Sequence, residues 1–364
     1  MKILNIVGAR PNLVKMGPLL REMSKHTEVK SLLVHTGQHY DEMLSEVFFR
    51  QMGIREPDVN LGVGSGSHAW QTAEILKRIE PILLEHHPDL VLVVGDVNST
   101  IAVSLAAVKL GIPVAHVESG LRSFDRTMPE EINRVLTDAL ASYLFVTEED
   151  AVENLLREGR SQECIYLVGN VMIDALRYFL PLARQSKLGE ELGLTKGNGF
   201  QPFAVLTLHR PSNVDSPEKL GNLLKVIEEV GERLPIIFPV HPRTQTMIAK
   251  LGRDKYSHLE LIPPVGYLDF LCLLSRAKLV LTDSGGIQEE TTALGVPCLT
   301  LRENTERPVT VVQGTNEIVG LDPTKIRKAV DAVLAGKWKT GRLPQLWDGH
   351  AAERIVEILR KEFS

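Results

Sequence analysis

The sequence predicts an α/β fold with two Rossmann-like domains that face each other across a cleft. Three observations lead to this prediction. The chain has 364 residues, which is enough for two domains at roughly 100–200 residues each. Short apolar runs rich in Val, Leu and Ile alternate with longer amphipathic stretches, an order typical of a doubly wound parallel sheet. The second half of the chain repeats this order, so we expect one sheet in each half.

The first half is expected to form five buried strands and four helices. The strands coincide with apolar runs, at residues 3–7, 31–35, 90–94, 114–117 and 144–146. The helices coincide with segments in which apolar residues recur at helical spacing, at residues 13–24, 70–85, 100–110 and 131–140. Because the helices lie between strands, we expect the strands to run parallel.

The second half follows the same plan. Its strands are predicted at residues 204–208, 236–240, 259–262, 279–282 and 297–300. Its helices include residues 217–233 and 286–294. We expect the two domains to divide within residues 168–174, after a strand at residues 165–167.

Two further segments lie outside this alternation. Residues 185–202 contain four glycines, and we expect them to form a mobile surface connection within the second half. Residues 350–363 are amphipathic, which predicts a short helix at the end of the chain.

Composition and charge exclude several classes of protein. The formal net charge is −5 and no basic block is present, which argues against a nucleic-acid partner. The three cysteines lie far apart without C-x-x-C spacing, which disfavours a disulfide framework and is typical of a reducing compartment. No apolar run approaches the ~18 residues of a membrane span. Asn5, Gly8 and Arg10 interrupt the N-terminus too early for a signal-peptide core, so we expect a cytoplasmic protein.

An anion-binding turn is expected directly after the first strand. Gly8 precedes a helix that contains Arg10 and, about one turn later, Lys15. Free backbone N–H groups and the helix dipole favour an anion there, and the two cations add positive charge. The turn matches neither G-x-G-x-x-G nor G-x-x-x-x-G-K-[ST], which disfavours a nicotinamide dehydrogenase and a P-loop NTPase. The alternative interpretation is a basic helix start on the surface.

A second anion-binding turn is expected in the other half, after the strand at residues 279–282. Ser284, Gly285 and Gly286 combine a hydroxyl donor with a backbone that a ligand can approach closely. Glu290 lies one helical turn further on, where its carboxylate can accept hydrogen bonds from sugar hydroxyls. Arg307, after the next strand, can reach the same anion, although it can also belong to a surface charge cluster. Two such turns favour a diphosphate held between the domains.

Three carboxylates follow predicted strands or open a predicted helix in the first half. Asp96 follows residues 90–94, Glu118 follows residues 114–117, and Glu130 lies in the first turn of a helix. Structural alternatives are a helix cap for Asp96 and an ion pair with Arg134 for Glu130. Carboxylates that converge on one cleft favour general acid–base chemistry.

Two histidines follow strands of the second half. His209 and Arg210 follow residues 204–208, and His241 follows residues 236–240. Neither histidine has H-x-H or H-E-x-x-H spacing, so we expect phosphate or sugar contacts and no metal.

Together these motifs resemble those of the non-hydrolysing UDP-N-acetylglucosamine 2-epimerases. The matching segments cover nearly the whole chain in the order found in that family. They are GARPN at 8–12, TGQHYD at 36–41, GDVNST at 95–100, HVESGLRS at 116–123, MPEEINR at 128–134, VGNVMID at 168–174, LTLHRPSNVD at 206–215, PVHPRT at 239–244, DSGGIQEE at 283–290 and RENTERP at 302–308.

The resemblance implies the two-domain glycosyltransferase-B architecture. An N-terminal domain at residues 1–168 would carry the acidic catalytic residues, and a UDP-binding domain would span residues 169–349. The final helix, within residues 350–364, would pack back on the first domain. The implied reaction interconverts UDP-GlcNAc and UDP-ManNAc through elimination of UDP to 2-acetamidoglucal and re-addition, without cofactor or metal. A homodimer that supplies ManNAc units for cell-surface polysaccharide is also implied.

The resemblance also assigns roles to residues. The family's catalytic positions fall on Asp96, Glu118, Glu130 and His209. The expected substrate contacts are Arg10, Lys15, His209, Arg210, His241, Phe270, Ser284, Gly285, Gly286, Glu290 and Arg307. Among them, Glu290 would bind the ribose and Phe270 the uracil. Glu130 is preferred over Glu131, because adjacent helical side chains point about 100° apart.

Three alternatives stay open at this point. The same motifs serve 2-epimerases of modified sugars, such as a UDP-2,3-diacetamido uronic acid. A hydrolysing epimerase would release free ManNAc, and a binding or transferase protein of the same fold would perform no chemistry at C2.

One departure from the family concerns activation by substrate at a second site. Gln38, His39, Arg210 and His241 match that site in members that need such activation. Asp41 and Glu74 stand where those members have glutamine and arginine, so we expect weak or absent activation.

Overall fold

The computed structural model describes residues 1–38, 53–197 and 199–364. These residues form two compact units. The first unit comprises Met1–Ala175 and Gln345–Ser364, and the second comprises Leu176–Pro344. None of the described helices combines the length and the apolarity needed to cross a bilayer.

The first unit is built on a parallel sheet with seven strands among the described residues. In chain order they are β1 (Lys2–Val7), β2 (Lys30–His35), β3 (Val59–Asn60), β4 (Leu90–Val94), β5 (Val114–Ser119), β6 (Tyr143–Val146) and β7 (Ile165–Leu167). Their order in the sheet is β3-β2-β1-β4-β5-β6-β7. The chain reverses its direction of winding between β1 and β4, and ligands of such sheets bind beyond the carboxyl ends of the strands at that point.

Helices cover both faces of this sheet. They are α1 (Arg10–Met23), α2 (His68–His86), α3 (Asn98–Lys109), α4 (Pro129–Leu140) and α5 (Glu149–Arg157), followed by α6 (Val171–Ala183), which continues into the second unit. The last helix, α15 (Ala351–Glu362), belongs to the first unit and packs against α1. Trp347, before α15, is buried and donates its indole N–H to the Thr147 carbonyl at 3.1 Å.

The second unit contains a six-stranded parallel sheet and a two-stranded antiparallel sheet among its described residues. The small sheet pairs β8 (Thr195–Lys196) with β9 (Gly199–Phe200). The strands of the large sheet are β10 (Ala204–Thr207), β11 (Ile236–Pro239), β12 (Leu259–Ile262), β13 (Leu279–Thr282), β14 (Cys298–Thr300) and β15 (Asn316–Ile318). Their order is β12-β11-β10-β13-β14-β15, with the winding reversed between β10 and β13.

The helices of the second unit complete its two layers around the large sheet. They are α7 (Leu188–Glu191), α8 (Pro211–Val214), α9 (Pro217–Gly231), α10 (Pro242–Leu251), α11 (Tyr267–Arg276), α12 (Gly285–Leu294), α13 (Pro308–Val312) and α14 (Pro323–Leu334). The sequence-based prediction of a doubly wound α/β sheet in each half is confirmed.

The expectation of a mobile connection at residues 185–202 is wrong for its described part. This segment contains α7, β8 and β9. Leu194 is buried in an apolar cluster with Phe203, and Phe200 packs against the same cluster. The prediction relied on the glycines and did not weigh the apolar residues between them. Burial of those apolar residues stabilises the helix and strands of this segment.

Candidate functional site

Lys15 and Glu118 form a buried ion pair in the first unit. Lys15 lies in the second turn of α1, and Glu118 lies near the end of β5. The backbone of Glu118 has φ +71°, in the left-handed region that residues other than glycine rarely adopt. Such conformations persist only where the surroundings hold them, and they cluster at functional sites. In this structure Lys15 therefore orients Glu118.

Gly95 brings the ends of β4 and β5 together. Its φ is +72°, and a Cβ atom there would lie 3.3 Å from Glu118 Oε2 and 3.4 Å from Asn12 Nδ2. A larger residue would therefore press against the carboxylate of Glu118. Asp96 follows Gly95 directly, so two candidate carboxylates come from neighbouring strand ends.

Asp96 is held by α4. Arg134 donates to Asp96 Oδ2 from Nε at 3.0 Å and from Nη2 at 2.7 Å. Asn133 donates to the Asp96 carbonyl at 2.9 Å. The residue that caps α3 is Val97, so the alternative role of Asp96 as the cap is wrong. The Asp96 side chain keeps 28% of its surface exposed, which leaves it accessible to a ligand.

The adjacent residues Glu130 and Glu131 have different surroundings on the first turn of α4. Glu131 is buried and accepts hydrogen bonds from the backbone N–H groups of Ser123 and Phe124 at 3.0 and 2.9 Å. It also pairs with Arg134 at 2.5 Å. Glu131 therefore fastens the loop after β5, while Glu130 is only partly buried. This difference favours Glu130 as the candidate for chemistry.

Two residues of this unit bear on the expected second site. Gln38 is buried, and its Oε1 accepts from the Ser99 N–H at 3.1 Å at the start of α3. The carboxylate of Glu74 accepts from Arg78 at 3.0 and 2.8 Å. The charge of Glu74 is thus balanced by Arg78, which weakens its argument against activation at a second site. Three expected groups lie outside the described residues, namely His39, Asp41 and the side chain of Arg10.

His209 and Asp283 form an oriented pair in the second unit. His209 Nδ1 lies 2.8 Å from Asp283 Oδ1, and the His209 side chain is 55% exposed while Asp283 is fully buried. Asp283 also accepts from the N–H of Arg210 and from Asn213 Nδ2, at 3.0 and 3.1 Å. Burial would raise the pKa of Asp283, but the hydrogen bonds and charge of His209 hold it below its ordinary value. A buried carboxylate at Nδ1 fixes the ring and favours Nε2 as its reactive nitrogen.

The start of α12 forms the second expected anion-binding turn. Ser284 is the residue that caps this helix, and Gly285 and Gly286 are its first residues. A Cβ atom at Gly285 would lie 2.5 Å from Arg307 Nη1, so the guanidinium packs directly over this backbone. Free N–H groups of a helix start and an adjacent arginine can bind an anion together.

Two buried carboxylates contact the arginines near this anion-binding turn. Glu289 lies 2.7 Å from Arg307 Nε. Glu306 accepts from Arg302 at 3.0 and 2.8 Å, and it lies 3.8 Å from Arg210 and 3.7 Å from Arg307. The side chains of Glu289 and Glu306 have no exposed surface. The alternative of a surface charge cluster at Arg307 is therefore wrong.

Glu290 lies on the buried side of α12 and accepts a hydrogen bond from the Tyr267 hydroxyl at 2.8 Å. Burial raises the pKa of Glu290 to about 7, against the lowering effect of the Tyr267 hydroxyl. Phe270, one turn after Tyr267, is partly buried against the apolar cluster that contains Phe203. His241 is exposed after β11.

Most of the residues that hold the candidate groups could not be recognised in the sequence. Arg134 was expected only as a possible partner of Glu130, and its pairing with Asp96 and Glu131 was not predicted. In the second unit the unpredicted residues are Tyr267, Asp283, Glu289 and Glu306. One signal was present, because Glu131 and Arg134 have the i, i+3 spacing of a helical ion pair. No group of three or more His, Cys, Asp or Glu side chains within the described ranges is arranged to hold a metal ion.

Comparisons with known proteins agree on one family. The family model described as UDP-N-acetylglucosamine 2-epimerase matches residues 21–360. A UDP-N-acetylglucosamine 2-epimerase from Methanocaldococcus jannaschii is 45% identical over 99% of this chain and 99% of that protein. A UDP-2,3-diacetamido-2,3-dideoxy-D-glucuronate 2-epimerase from Pseudomonas aeruginosa is 41% identical over 99% of this chain and 100% of that protein.

A solved structure is similar over the same length. It is the crystal structure of the Methanocaldococcus jannaschii UDP-GlcNAc 2-epimerase in complex with UDP-GlcNAc and UDP. The TM-score is 0.90 at 44% sequence identity, with 99% of this chain and 100% of that chain covered.

Proposed function

This chain belongs to the UDP-N-acetylglucosamine 2-epimerase family, and we propose that it is an isomerase that interconverts UDP-GlcNAc and UDP-ManNAc. One observation on the structure of this chain supports the proposal. Asp96 follows β4 by two residues and Glu118 lies near the end of the neighbouring strand β5, and Gly95 brings the Glu118 carboxylate beside the backbone that carries Asp96. Two carboxylates from adjacent strand ends suit a reaction that breaks and re-forms one C–H bond.

The first step would be an elimination. Asp96 removes the proton from C2 of the sugar, and the C–H electron pair forms a C1=C2 double bond. The bond between C1 and the phosphate oxygen breaks, and its electron pair leaves with UDP. The products of this step are 2-acetamidoglucal and UDP. The contact with Arg134 supports this role, because two hydrogen bonds from its guanidinium orient the Asp96 carboxylate while 28% of that side chain stays exposed.

The second unit would stabilise the leaving group. UDP gains negative charge as the C1–O bond breaks, and positive groups aimed at that charge lower the barrier. Arg307 and the start of α12 lie together at Gly285, which supports a role in binding the diphosphate. His209 is held by Asp283 through Nδ1, which supports a role for Nε2 at a phosphate oxygen. Glu290 would receive the ribose hydroxyls, and Phe270 would contact the uracil.

The second step would reverse the first with the opposite configuration. The double bond is protonated at C2 on the other face, and UDP adds back to C1. Glu118 and Glu130 are the proposed acidic groups for that face. Their different surroundings support separate roles, since Glu118 is buried against Lys15 and Glu130 is partly exposed.

A second candidate substrate follows from one comparison. The relative from Pseudomonas aeruginosa that is named for a diacetamido uronate nucleotide is 41% identical, close to the 45% of the Methanocaldococcus jannaschii epimerase. The same elimination at C2 serves both sugars. We therefore retain UDP-2,3-diacetamido-2,3-dideoxy-glucuronate as the alternative substrate.

The deciding experiment is an incubation of the protein with UDP-GlcNAc in D2O, followed by proton NMR. The expected result is UDP-ManNAc together with loss of the C2 proton signal. Release of free ManNAc and UDP would indicate a hydrolysing epimerase. An unchanged spectrum with UDP-GlcNAc followed by exchange with the diacetamido uronate nucleotide would identify the alternative substrate. Exchange with neither nucleotide, despite UDP binding, would contradict the epimerase and favour a binding or transferase protein.

We also propose a cytoplasmic homodimer that supplies ManNAc units for surface polysaccharide. Three free cysteines among the described residues support a reducing compartment. Sedimentation equilibrium of the purified protein tests the dimer, and a monomer at micromolar concentration would contradict it.

A further inference from the structure

A buried histidine ties the end of β5 to the end of β4. His116 lies on β5 two residues before Glu118 and has no exposed surface. Its Nε2 is 2.9 Å from the Gly95 carbonyl, and its Nδ1 is 2.6 Å from Asp138 Oδ1. A carbonyl oxygen only accepts, so Nε2 carries a proton and donates to Gly95. His116 therefore holds the residue that precedes Asp96.

Asp138 holds the other side of Glu118. It lies on α4 with no exposed surface, and its Oδ2 accepts from the Gly120 N–H at 3.0 Å. The same oxygen is 2.7 Å from Arg122 Nη2. Burial would raise the pKa of Asp138, but the charges of His116 and Arg122 hold it below its ordinary value. Asp138 is thus a carboxylate that contacts β5 and the turn that follows it.

Arg122 is the third residue of this set of contacts around Glu118. Besides Asp138, it pairs with Glu158 at 2.8 and 2.6 Å and donates to its neighbouring Leu121 carbonyl at 2.8 Å. Asn154 donates to the Gly120 carbonyl at 3.0 Å. Side-chain hydrogen bonds therefore hold Gly95 on one side of Glu118 and Gly120 on the other.

We propose that His116 and Asp138 are positioning residues that set the relative placement of Asp96 and Glu118. This inference rests on the proposed epimerase function of those two carboxylates. Glu118 keeps a left-handed backbone because Gly120 on one side and His116 on the other are both fixed through Asp138. Removal of either side chain would let Gly95 and the turn after Glu118 shift relative to each other, while backbone pairing still joins β4 and β5. The proton-transfer steps would then slow, while the nucleotide site on α12 would keep its affinity.

The test compares Asp138→Asn and His116→Gln with the wild-type protein. Loss of the contacts that His116 and Asp138 make, hereafter the His116–Asp138 clamp, is expected to lower kcat for epimerisation and the rate of C2 exchange in D2O by about 10²-fold, as for a misplacement near 1 Å. The dissociation constant of UDP is expected to stay unchanged. Because the two residues act as one unit, the double variant should lose no more activity than Asp138→Asn alone. An unchanged kcat in both single variants, or fully additive losses, would overturn the proposal.

The matched control is Asp174→Asn. Asp174 is another buried carboxylate of the first unit, and it accepts from the N–H groups of Ala351 and Ala352 at 3.2 and 2.7 Å. This variant is expected to lower Tm without lowering kcat. If Asp174→Asn lowers kcat as much as Asp138→Asn at equal loss of Tm, the effect of Asp138 is general destabilisation and the proposal fails.

A crystal structure of the Asp138→Asn variant provides a readout that needs no substrate. Displacement of Gly95 and Glu118 beyond roughly 0.5 Å is expected, since catalytic geometry is held within about that limit. Unmoved residues would overturn the proposal. If the wild-type protein exchanges C2 protons of neither nucleotide, the proposed function fails. The variant crystal structure then still tests whether Asp138 positions Gly95 and Glu118. If Asp138→Asn does not fold, the same comparison is made with His116→Gln.

Discussion

The two units carry candidate groups of opposite charge and hold them with opposite partners. In the first unit cations orient carboxylates, since Arg134 contacts Asp96 and Lys15 contacts Glu118. In the second unit the arrangement is reversed, because buried carboxylates orient an arginine and a histidine. The first unit therefore presents groups suited to proton transfer, and the second presents groups suited to binding an anion.

The difference shows that buried counter-charges in this protein serve orientation. A buried charge without a partner is strongly unfavourable, so each presented group requires a partner of the other sign. Glu289 and Asp283 are fully buried, while the guanidinium of Arg307 packs over Gly285 and His209 is 55% exposed. Substitution of a group that faces the ligand should therefore mainly lower turnover, and substitution of its buried partner should mainly lower the free energy of unfolding.

The largest effect is expected from Asp96→Asn in the first unit. Loss of a general base lowers the rate of C2 exchange by about 10²–10⁴-fold, while UDP binding stays intact because the diphosphate contacts lie elsewhere. Exchange is measured by NMR in D2O, and binding by calorimetry. Glu153→Gln, which removes an exposed carboxylate paired with Arg157, is the control and should exchange normally. Retained exchange in Asp96→Asn would show that Asp96 is structural.

Arg307→Ala tests the reversed arrangement of the second unit. Loss of the guanidinium is expected to slow UDP elimination by about 10²–10³-fold, by analogy with removal of one transition-state donor. It also leaves Glu289 buried without this cation, which costs about 3–5 kcal/mol in the free energy of unfolding. The double variant Arg307→Ala/Glu289→Gln should regain stability but not turnover, as measured by urea unfolding and by NMR.

The control for Arg307 is an exposed pair in the same unit. Arg327 pairs with Glu229 at 2.7 Å, and both side chains are about half exposed. Because an exposed ion pair contributes little to stability, Arg327→Ala is expected to leave both the free energy of unfolding and turnover nearly unchanged. Normal turnover in Arg307→Ala would remove this residue from the diphosphate site.

Glu130 and Glu131 allow the comparison between adjacent residues. Glu130→Gln is expected to reduce turnover by about 10²-fold with normal stability, since it removes a proton-transfer group. Glu131→Gln is expected to lower the free energy of unfolding by about 3 kcal/mol, since it breaks a buried pair with Arg134. Thermal unfolding and steady-state rates measure both. The opposite outcome, a stable inactive Glu131→Gln and an active Glu130→Gln, would exchange the roles of these residues.

The smallest effect concerns the pH dependence of nucleotide affinity. Because burial raises the pKa of Glu290 from 4.5 to about 7, this group is mostly neutral below pH 7 in the folded protein. As the proposed acceptor for ribose hydroxyls it acts best when charged, so UDP affinity should fall about tenfold from pH 8 to pH 6. Glu290→Gln should flatten this dependence, and titration calorimetry at the two pH values measures it. Equal slopes in both proteins would contradict the assignment of Glu290.

Stability should depend on Glu290 in the opposite direction. A raised pKa means that the folded state prefers the neutral form, so its contribution is fully present below about pH 4.5 and is lost as the pH rises through about 7. Relative to the wild-type protein, Glu290→Gln should therefore be more stable at pH 8 than at pH 5. Urea unfolding at both values checks the sign.

Much of the fold could be predicted from periodicity, and the missed edge strands have a physical cause. The strands at Leu90–Val94 and Leu279–Thr282 have the predicted bounds, because buried parallel strands are apolar throughout. The edge strands Val59–Asn60 and Asn316–Ile318 were missed. They have two and three residues and include polar ones, so neither contains an apolar run.

The sequence by itself determined which chemical groups the strand ends carry. Asp96, Glu118, His209 and Arg307 could be identified because parallel strands end at one edge of a sheet, whatever their order. The motif resemblance then indicated the family. Both inferences depend on residues close together in the chain.

Only the tertiary structure decided which charges meet. Arg134 reaches Asp96 across 38 positions, and His209 reaches Asp283 across 74. Such pairs depend on which strands are neighbours and on how helices pack, and local periodicity carries no record of either. For the same reason only the folded chain shows that Glu131 binds the backbone of the loop after β5. The contact between His116 and Asp138 likewise becomes visible only there.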